Sequence, residues 1–197
     1  MYDMMIPYVK NQAKFKDIEY YLFDENPYID EPYGPNWKDM QELFFKAANI
    51  PDERIHIMTS NDWQDYDNKI RNAGGIDVMV IGLGYDGHFC GNCPRCTPFD
   101  SYTYCIDFKK KQAVNPDYGD RPRQPHTLTM GPKSLMRVKH LVMIVNGKEK
   151  AEIFKRFLDE PINQDVPATI LKLHPNFTVI CDQAAASLID PQQYSNL

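Results

Sequence analysis

The segment Ile81-Gly82-Leu83-Gly84-Tyr85-Asp86-Gly87-His88-Phe89-Cys90-Gly91-Asn92 constrains this chain more than any other, because an almost unbroken apolar run, Gly75 to Ile81, leads into it. A short, β-rich run of that kind suits a central parallel strand buried on both faces. Gly82, Gly84 and Gly87 follow at once, and such residues permit a tight turn or the close approach of a ligand. In open α/β sheets ligands collect beyond the carboxyl ends of the strands, so Asp86 and His88 fall where chemistry is expected. An isolated histidine is more often structural than catalytic. At a strand end beside an aspartate, however, an imidazole can trade protons at working pH. A dinucleotide fingerprint needs G-x-G-x-x-G opening a helix. Here the loop runs into Cys90-Gly91-Asn92-Cys93-Pro94, a poor helix start, and a nicotinamide site is rejected.

The 197 residues suffice for one substantial core, and a single domain over 1–197 is expected. The 22 basic and 27 acidic residues leave a net charge of −5, which argues against nucleic-acid and anionic-membrane partners. The basic run Lys109-Lys110-Lys111 reads as a solvated loop. No apolar run approaches the ~18 residues needed to span a bilayer. The first residues lack the basic and apolar regions of a secretory signal, so the cytoplasm is the expected location. Of the 5 cysteines, Cys90, Cys93 and Cys96 form a C-x2-C-x2-C run. With Cys105 or His88 as a fourth ligand they could hold zinc or an iron–sulfur cluster. The second ligand pair of a zinc ribbon is missing, which favours reduced thiols with no metal and no cofactor.

Along the chain, Tyr2, Met5, Ile6 and Val9 fall at helical spacing around Pro7, and Ile18 to Phe23 reads as a strand ending in Asp24-Glu25. That acidic pair reads either as a cap for the next segment or as a carboxylate sharing a site with Asp86 and His88. Residues 26–35 form an ordered, proline-dotted loop. Asn36 then caps a helix from Trp37 to Ala48 with Met40, Leu43, Phe44 and Ala47 on one face. A strand at Arg54 to Met58 precedes a helix opened by Ser60 or Asn61, striped by Trp63, Tyr66 and Ile70, and stopped by Gly74-Gly75. Tyr102, Tyr104 and Ile106 alternate as a strand, His126 to Met130 forms another, and a short helix follows at Lys133 to Val138. His140 to Val145 is a buried strand, Lys148 to Leu158 a helix, Phe177 to Cys181 the last strand and Gln183 to Ile189 the last helix. Pro167 is placed to start a helix. Lys150, in a first helical turn, opposes the helix dipole, which an anion bound at the same N-terminus would rationalise; the alternative is an ordinary surface lysine. Strands alternating with helices predict an α/β fold with a mainly parallel sheet covered on both faces.

Several blocks together resemble the glucosamine-6-phosphate deaminase/isomerase and 6-phosphogluconolactonase superfamily over essentially the whole length. They are Phe23-Asp24-Glu25, Gly82 to His88, Thr127 to Gly131, Gly147-Lys148-Glu149-Lys150, Val166-Pro167-Ala168 and Leu173-His174-Pro175. The resemblance implies a three-layer αβα, Rossmann-like fold and conversion of glucosamine-6-phosphate or galactosamine-6-phosphate to a ketose phosphate plus ammonia. It implies His88 as the ring-opening acid/base, Asp86 as its partner and Asp24 as the base that shuttles the C2 proton. Lys150 is implied as a phosphate ligand, with Gly84 and Gly87 against the substrate. The partner implied is a small-molecule sugar phosphate, with a homo-oligomer as one assembly open to the chain. Two departures stand out. Cys93 occupies the position of a family glutamate that completes the ring-opening relay, and the family's first strand and phosphate loop are not seen ahead of the first helix. Two other readings are a sugar lactone hydrolase of the lactonase branch and a sugar-phosphate binder without turnover. The lactonase branch continues Ala-Ser-Leu-Phe-Pro where this chain has Phe89-Cys90-Gly91-Asn92-Cys93.

Overall fold

A computed structural model describes residues 2–11, 13–107 and 122–194; the Lys109 to Lys111 run lies outside the described residues. The chain divides into two compact units, Met1–Trp63 with Cys105–Leu128, and Gln64–Tyr104 with Thr129–Leu197. The architecture is mixed α/β with mainly parallel pairing, as the alternation of elements predicts. Among the described residues the strands form one two-stranded and two three-stranded sheets.

In the first unit, helix α1 (Tyr2–Asn11) contains Pro7 and turns Tyr2, Ile6 and Val9 onto a core of Leu22, Phe44, Phe45, Ala48, Ile50 and Ile55. Strand β1 (Tyr20–Tyr21) is shorter than the apolar run from Ile18 to Phe23. After Leu22 N donates to His56 O the chain leaves that pairing, and β2 (Asp24–Glu25) enters a different sheet. Helix α2 (Pro35–Met40) passes directly into a π-helical turn, Gln41–Phe45, with Lys46 N reaching back five residues to Gln41 O. The extra residue per turn rotates the apolar face. Phe45 and Ala48 are therefore buried, while Leu43 is 55% exposed and Ala47 faces out, contrary to the face expected from ordinary helical spacing. Strand β3 (Ile55–His56) pairs in parallel with β1, shortened at its start by the 3₁₀ turn Asp52–Arg54.

In the second unit, α3 (Tyr66–Asn72) buries Tyr66 and Ile70 and stops at Gly74 and Gly75, both at positive φ. Strand β4 (Val78–Gly82) pairs in parallel with the strand His140–Val145, from Val78 opposite His140 to Gly82 opposite Ile144. Between them in the chain come β5 (Tyr104–Asp107), β6 (His126–Thr129) and α4 (Pro132–Leu135), which makes the strand His140–Val145 β7. Strand order β2-β6-β5 forms one sheet, and β2 with all but one residue each of β5 and β6 belongs to the first unit. Helix α5 (Ala151–Asp159) and β8 (Phe177–Cys181) follow, the latter pairing in parallel with β7.

Two expectations for this unit are corrected. β4 is an edge strand beside the central β7, and only one face of it is packed: Met79 and Ile81 are buried, while Val78 and Val80 are 57% and 40% exposed. Side chains alternate across a strand, so an uncovered face exposes every second residue whatever its hydropathy. The helix expected at Gln183 to Ile189 is a run of turns. There Ala186 N bonds Asp182 O four residues back, but Ser187 and Ile189 bond three residues back, and no regular ladder repeats. Among the described residues no helix is long and apolar enough to cross a membrane.

The π-helical rotation is directly testable. Phe45→Ala should cost about 3–5 kcal/mol and Leu43→Ala less than about 1 kcal/mol in urea unfolding; equal costs would contradict the observed face.

Candidate active site

The loop after β4 is held by two glycines for steric reasons. A Cβ on Gly84 would stand 2.1 Å from His88 Nδ1, so only a glycine lets the imidazole lie against the backbone there. Gly84 N also donates to His88 O at 2.8 Å, and Gly87 N to Gly84 O at 3.0 Å. Gly87 has φ of +89°, and its Cβ would meet Val166 Cγ1 at 2.8 Å. Gly82 is under no such demand, since the nearest atom to its Cβ would be Ile144 O at 4.0 Å.

This turn brings Asp86 and His88 together. Asp86 Oδ1 lies 2.6 Å from His88 Nδ1 and accepts the His88 backbone N–H at 3.0 Å. A carboxylate at Nδ1 favours the proton on that nitrogen and leaves Nε2 to give or take a proton elsewhere. Burial pushes the Asp86 pKa up, but the hydrogen bonds and charge of His88 outweigh it, and the carboxyl is held below its ordinary range. The His88 and Asp86 side chains are 38% and 49% exposed, open enough to meet a solute.

Lys150 converges on the same loop. Gly147, at φ of +92°, turns the chain after β7 into the 3₁₀ segment Lys148–Lys150. From there Lys150 Nζ donates to Leu83 O at 2.6 Å and lies 3.4 Å from the centre of the Tyr85 ring. Desolvation pulls its pKa down. Thus Gly84, Asp86, Gly87, His88 and Lys150 occupy one neighbourhood of the second unit.

Sequence reasoning missed the polar side chains that hold this loop. Asn92 is fully buried; its Nδ2 donates to Met130 O at 2.9 Å and its Oδ1 accepts from Tyr104 OH at 3.1 Å. Burial pushes the Tyr104 phenol up to about 12. Gly91 N donates to Thr129 Oγ1 at 2.9 Å. Ala168 N donates to Gly87 O at 3.0 Å, which secures the loop from the Val166-Pro167-Ala168 segment. An Asn in a glycine-rich stretch reads as turn chemistry, so nothing in the local pattern distinguished Asn92.

The cysteine run does not stay as three thiols. Cys93 and Cys96, with Cα atoms 5.7 Å apart, are joined as a disulfide that does not include Cys90. The Cα separation across this C-x-x-C turn lies in the range that a disulfide spans. Among the described residues no group of three or more His, Cys, Asp or Glu side chains is arranged to hold a metal.

Asp24 lies in the first unit. Its Oδ1 accepts from Asn36 Nδ2 at 2.7 Å and its backbone O from the same nitrogen at 3.1 Å. The adjacent Glu25 is buried and accepts from the backbone N–H groups of Asn26, Asn36 and Trp37 at 2.8, 3.2 and 2.8 Å. Asn36 is not the helix cap expected of it. Gly34 holds the cap position without a side chain, and the Glu25 carboxylate takes over the free N–H groups. Burial raises the Glu25 pKa against the lowering effect of those donors.

A family model for glucosamine-6-phosphate isomerases/6-phosphogluconolactonase matches residues 1–180. The glucosamine-6-phosphate deaminase of Clostridium acetobutylicum is 33% identical over 193 residues, covering 92% of this chain and 79% of that protein. The glucosamine-6-phosphate deaminase of Shouchella clausii is 34% identical over 191 residues, covering 91% and 76%. Among solved structures, a monomeric glucosamine-6-phosphate deaminase matches with a TM-score of 0.80 at 27% identity, over 95% of this chain and 82% of that one. A 6-phosphogluconolactonase from Thermotoga maritima has the same fold, with a TM-score of 0.69 at 19% identity over 91% and 78%. With a match that runs through the Asp86–His88 loop and most of the sequence on either side, the chain belongs to the glucosamine-6-phosphate isomerase/6-phosphogluconolactonase family.

Proposed function

We propose that this protein is an amino-sugar-phosphate isomerase/deaminase that converts glucosamine-6-phosphate or galactosamine-6-phosphate, with water, to a ketose phosphate and ammonia. The observation that carries this reading is the 2.6 Å contact between Asp86 Oδ1 and His88 Nδ1 on a chain of this family. The naming of the relatives as deaminases, at 33% and 34% identity, supports the deaminase branch over the lactonase branch. In this reading His88, oriented by Asp86, takes the proton of the anomeric hydroxyl and returns it to the ring oxygen, which opens the sugar. Asp24 removes the C2 proton to leave an enolamine; protonation at C1 and attack of water at C2 then release ammonia. Lys150 holds the phosphate, and Gly84 and Gly87 let the substrate approach the backbone. A phosphorylated sugar is a metabolite of the cell interior, so the reading places the enzyme in the cytoplasm.

The test is release of ammonia and ketose phosphate from both sugar phosphates. His88→Gln and Asp24→Asn should each lower kcat by about 100-fold or more without loss of folding. Turnover retained in both would sink this mechanism, and acid release from a phosphosugar lactone in place of ammonia would move the assignment to lactone hydrolysis. Gly84→Ala should also lower turnover by about 100-fold, because its methyl group displaces the imidazole, whereas Gly82→Ala should leave it within about threefold. In a carbon-13 titration, the Asp86 carboxyl should ionise below the ordinary aspartate range. In His88→Ala it should move to that range or above, since the stabilising hydrogen bonds and charge are removed and the burial remains.

A further inference from the structure

The acidic pair at β2 divides its labour. Adjacent strand residues point to opposite faces, so Glu25 turns inward while Asp24 stays half-buried. Glu25 spends both carboxylate oxygens on backbone N–H groups, Oε1 on Asn26 and Asn36 and Oε2 on Trp37. Gly34 makes this possible, because a Cβ there would stand 2.7 Å from Glu25 Oε1 and 1.9 Å from Asn26 O. Pro35, at the first helical position, has no N–H to satisfy. The backbone of Asn36 is thereby pinned at the start of α2, and its side chain is released from the capping duty that its position suggests. The amide instead crosses back over the 26–35 loop, and the single nitrogen Nδ2 bonds both the carboxylate and the carbonyl oxygen of Asp24. Two bonds from one donor to the two ends of one residue restrict the torsion that aims its carboxylate.

We propose that Asn36 is a positioning residue for Asp24, anchored by the buried Glu25 carboxylate, and that it sets the orientation in which Asp24 meets the C2 proton of a bound sugar phosphate. This rests on the reading of Asp24 as the proton-transfer base. A base that must approach one C–H bond gains from a fixed carboxylate plane, and a displacement of about 1 Å is worth about 100-fold in rate.

Asn36→Leu keeps the size of the side chain and removes the donor. It should lower kcat by about 10- to 100-fold with KM within about twofold, slow C2 hydrogen exchange in deuterated water to the same degree, and add no further loss to Asp24→Asn. Three-bond couplings report the side-chain torsion of Asp24 without turnover. They should give a single rotamer in the wild type and an average over rotamers in Asn36→Leu. Unchanged couplings in the variant, or a loss of rate additive with Asp24→Asn, would overturn the proposal. If the wild type turns over neither sugar phosphate while the couplings still collapse in Asn36→Leu, the assigned reaction falls and the positioning of Asp24 by Asn36 stands.

Discussion

The parallel register of β4 and β7 is the constraint on which the second unit depends. Pairing from Val78–His140 through Gly82–Ile144 ends both strands at one level, so the loop from Leu83 and the turn at Gly147 leave the sheet on the same edge. That shared edge lets Lys150 Nζ reach the Leu83 carbonyl across 67 positions of sequence. β8 extends the arrangement: Asp182, just past its end, accepts from Gly147 N at 3.0 Å and from Ala185 N at 2.7 Å, which fixes the turn from the other side. Antiparallel pairing would send successive loops to opposite edges, and these groups would not converge.

Upon that frame the loop is built by close approach rather than by bulk. At Gly84 and Gly87 the absent side chains are replaced by the imidazole of His88 and by Val166, two contacts that no other residue would permit. The polar half of the loop is then held from beneath by Asn92, Thr129 and Tyr104. A buried amide that bonds a carbonyl through its nitrogen and a phenol through its oxygen has a partner for each polar atom, which favours one loop conformation. The Asp86–His88 pair sits on this hydrogen-bonded loop, while its own side chains stay open to solvent.

The first unit solves a different problem with the same economy. Two adjacent carboxylates would repel if both faced one cavity. The strand separates them, with Glu25 neutralising the helix N-terminus and Asp24 accepting from the Asn36 amide. The two readings of the pair, cap or site carboxylate, are therefore not rivals. One belongs to Glu25 by its hydrogen bonds, the other is proposed for Asp24, and the residue that divides them is the asparagine first read as a cap.

The sequence by itself determined the α/β class, the parallel strands at β4, β7 and β8, the Asp86-Gly87-His88 loop and the family, because these follow from short-range pattern. Apolar runs mark strands, closely spaced glycines mark a tight loop, and a motif at a strand's end marks a candidate site. The π-helical turn that exchanges Leu43 and Ala47 for Phe45 and Ala48, the edge position of β4 and the closure of Cys93 on Cys96 were decided only by the tertiary structure. So were the hydrogen-bond partners of Asn92 and Asn36. Hydrogen-bond partners such as Asn92 with Met130 or Asn36 with Asp24 are chosen by distance in space, and an amide side chain has the same composition whether it caps a helix, lines a turn or aims a carboxylate.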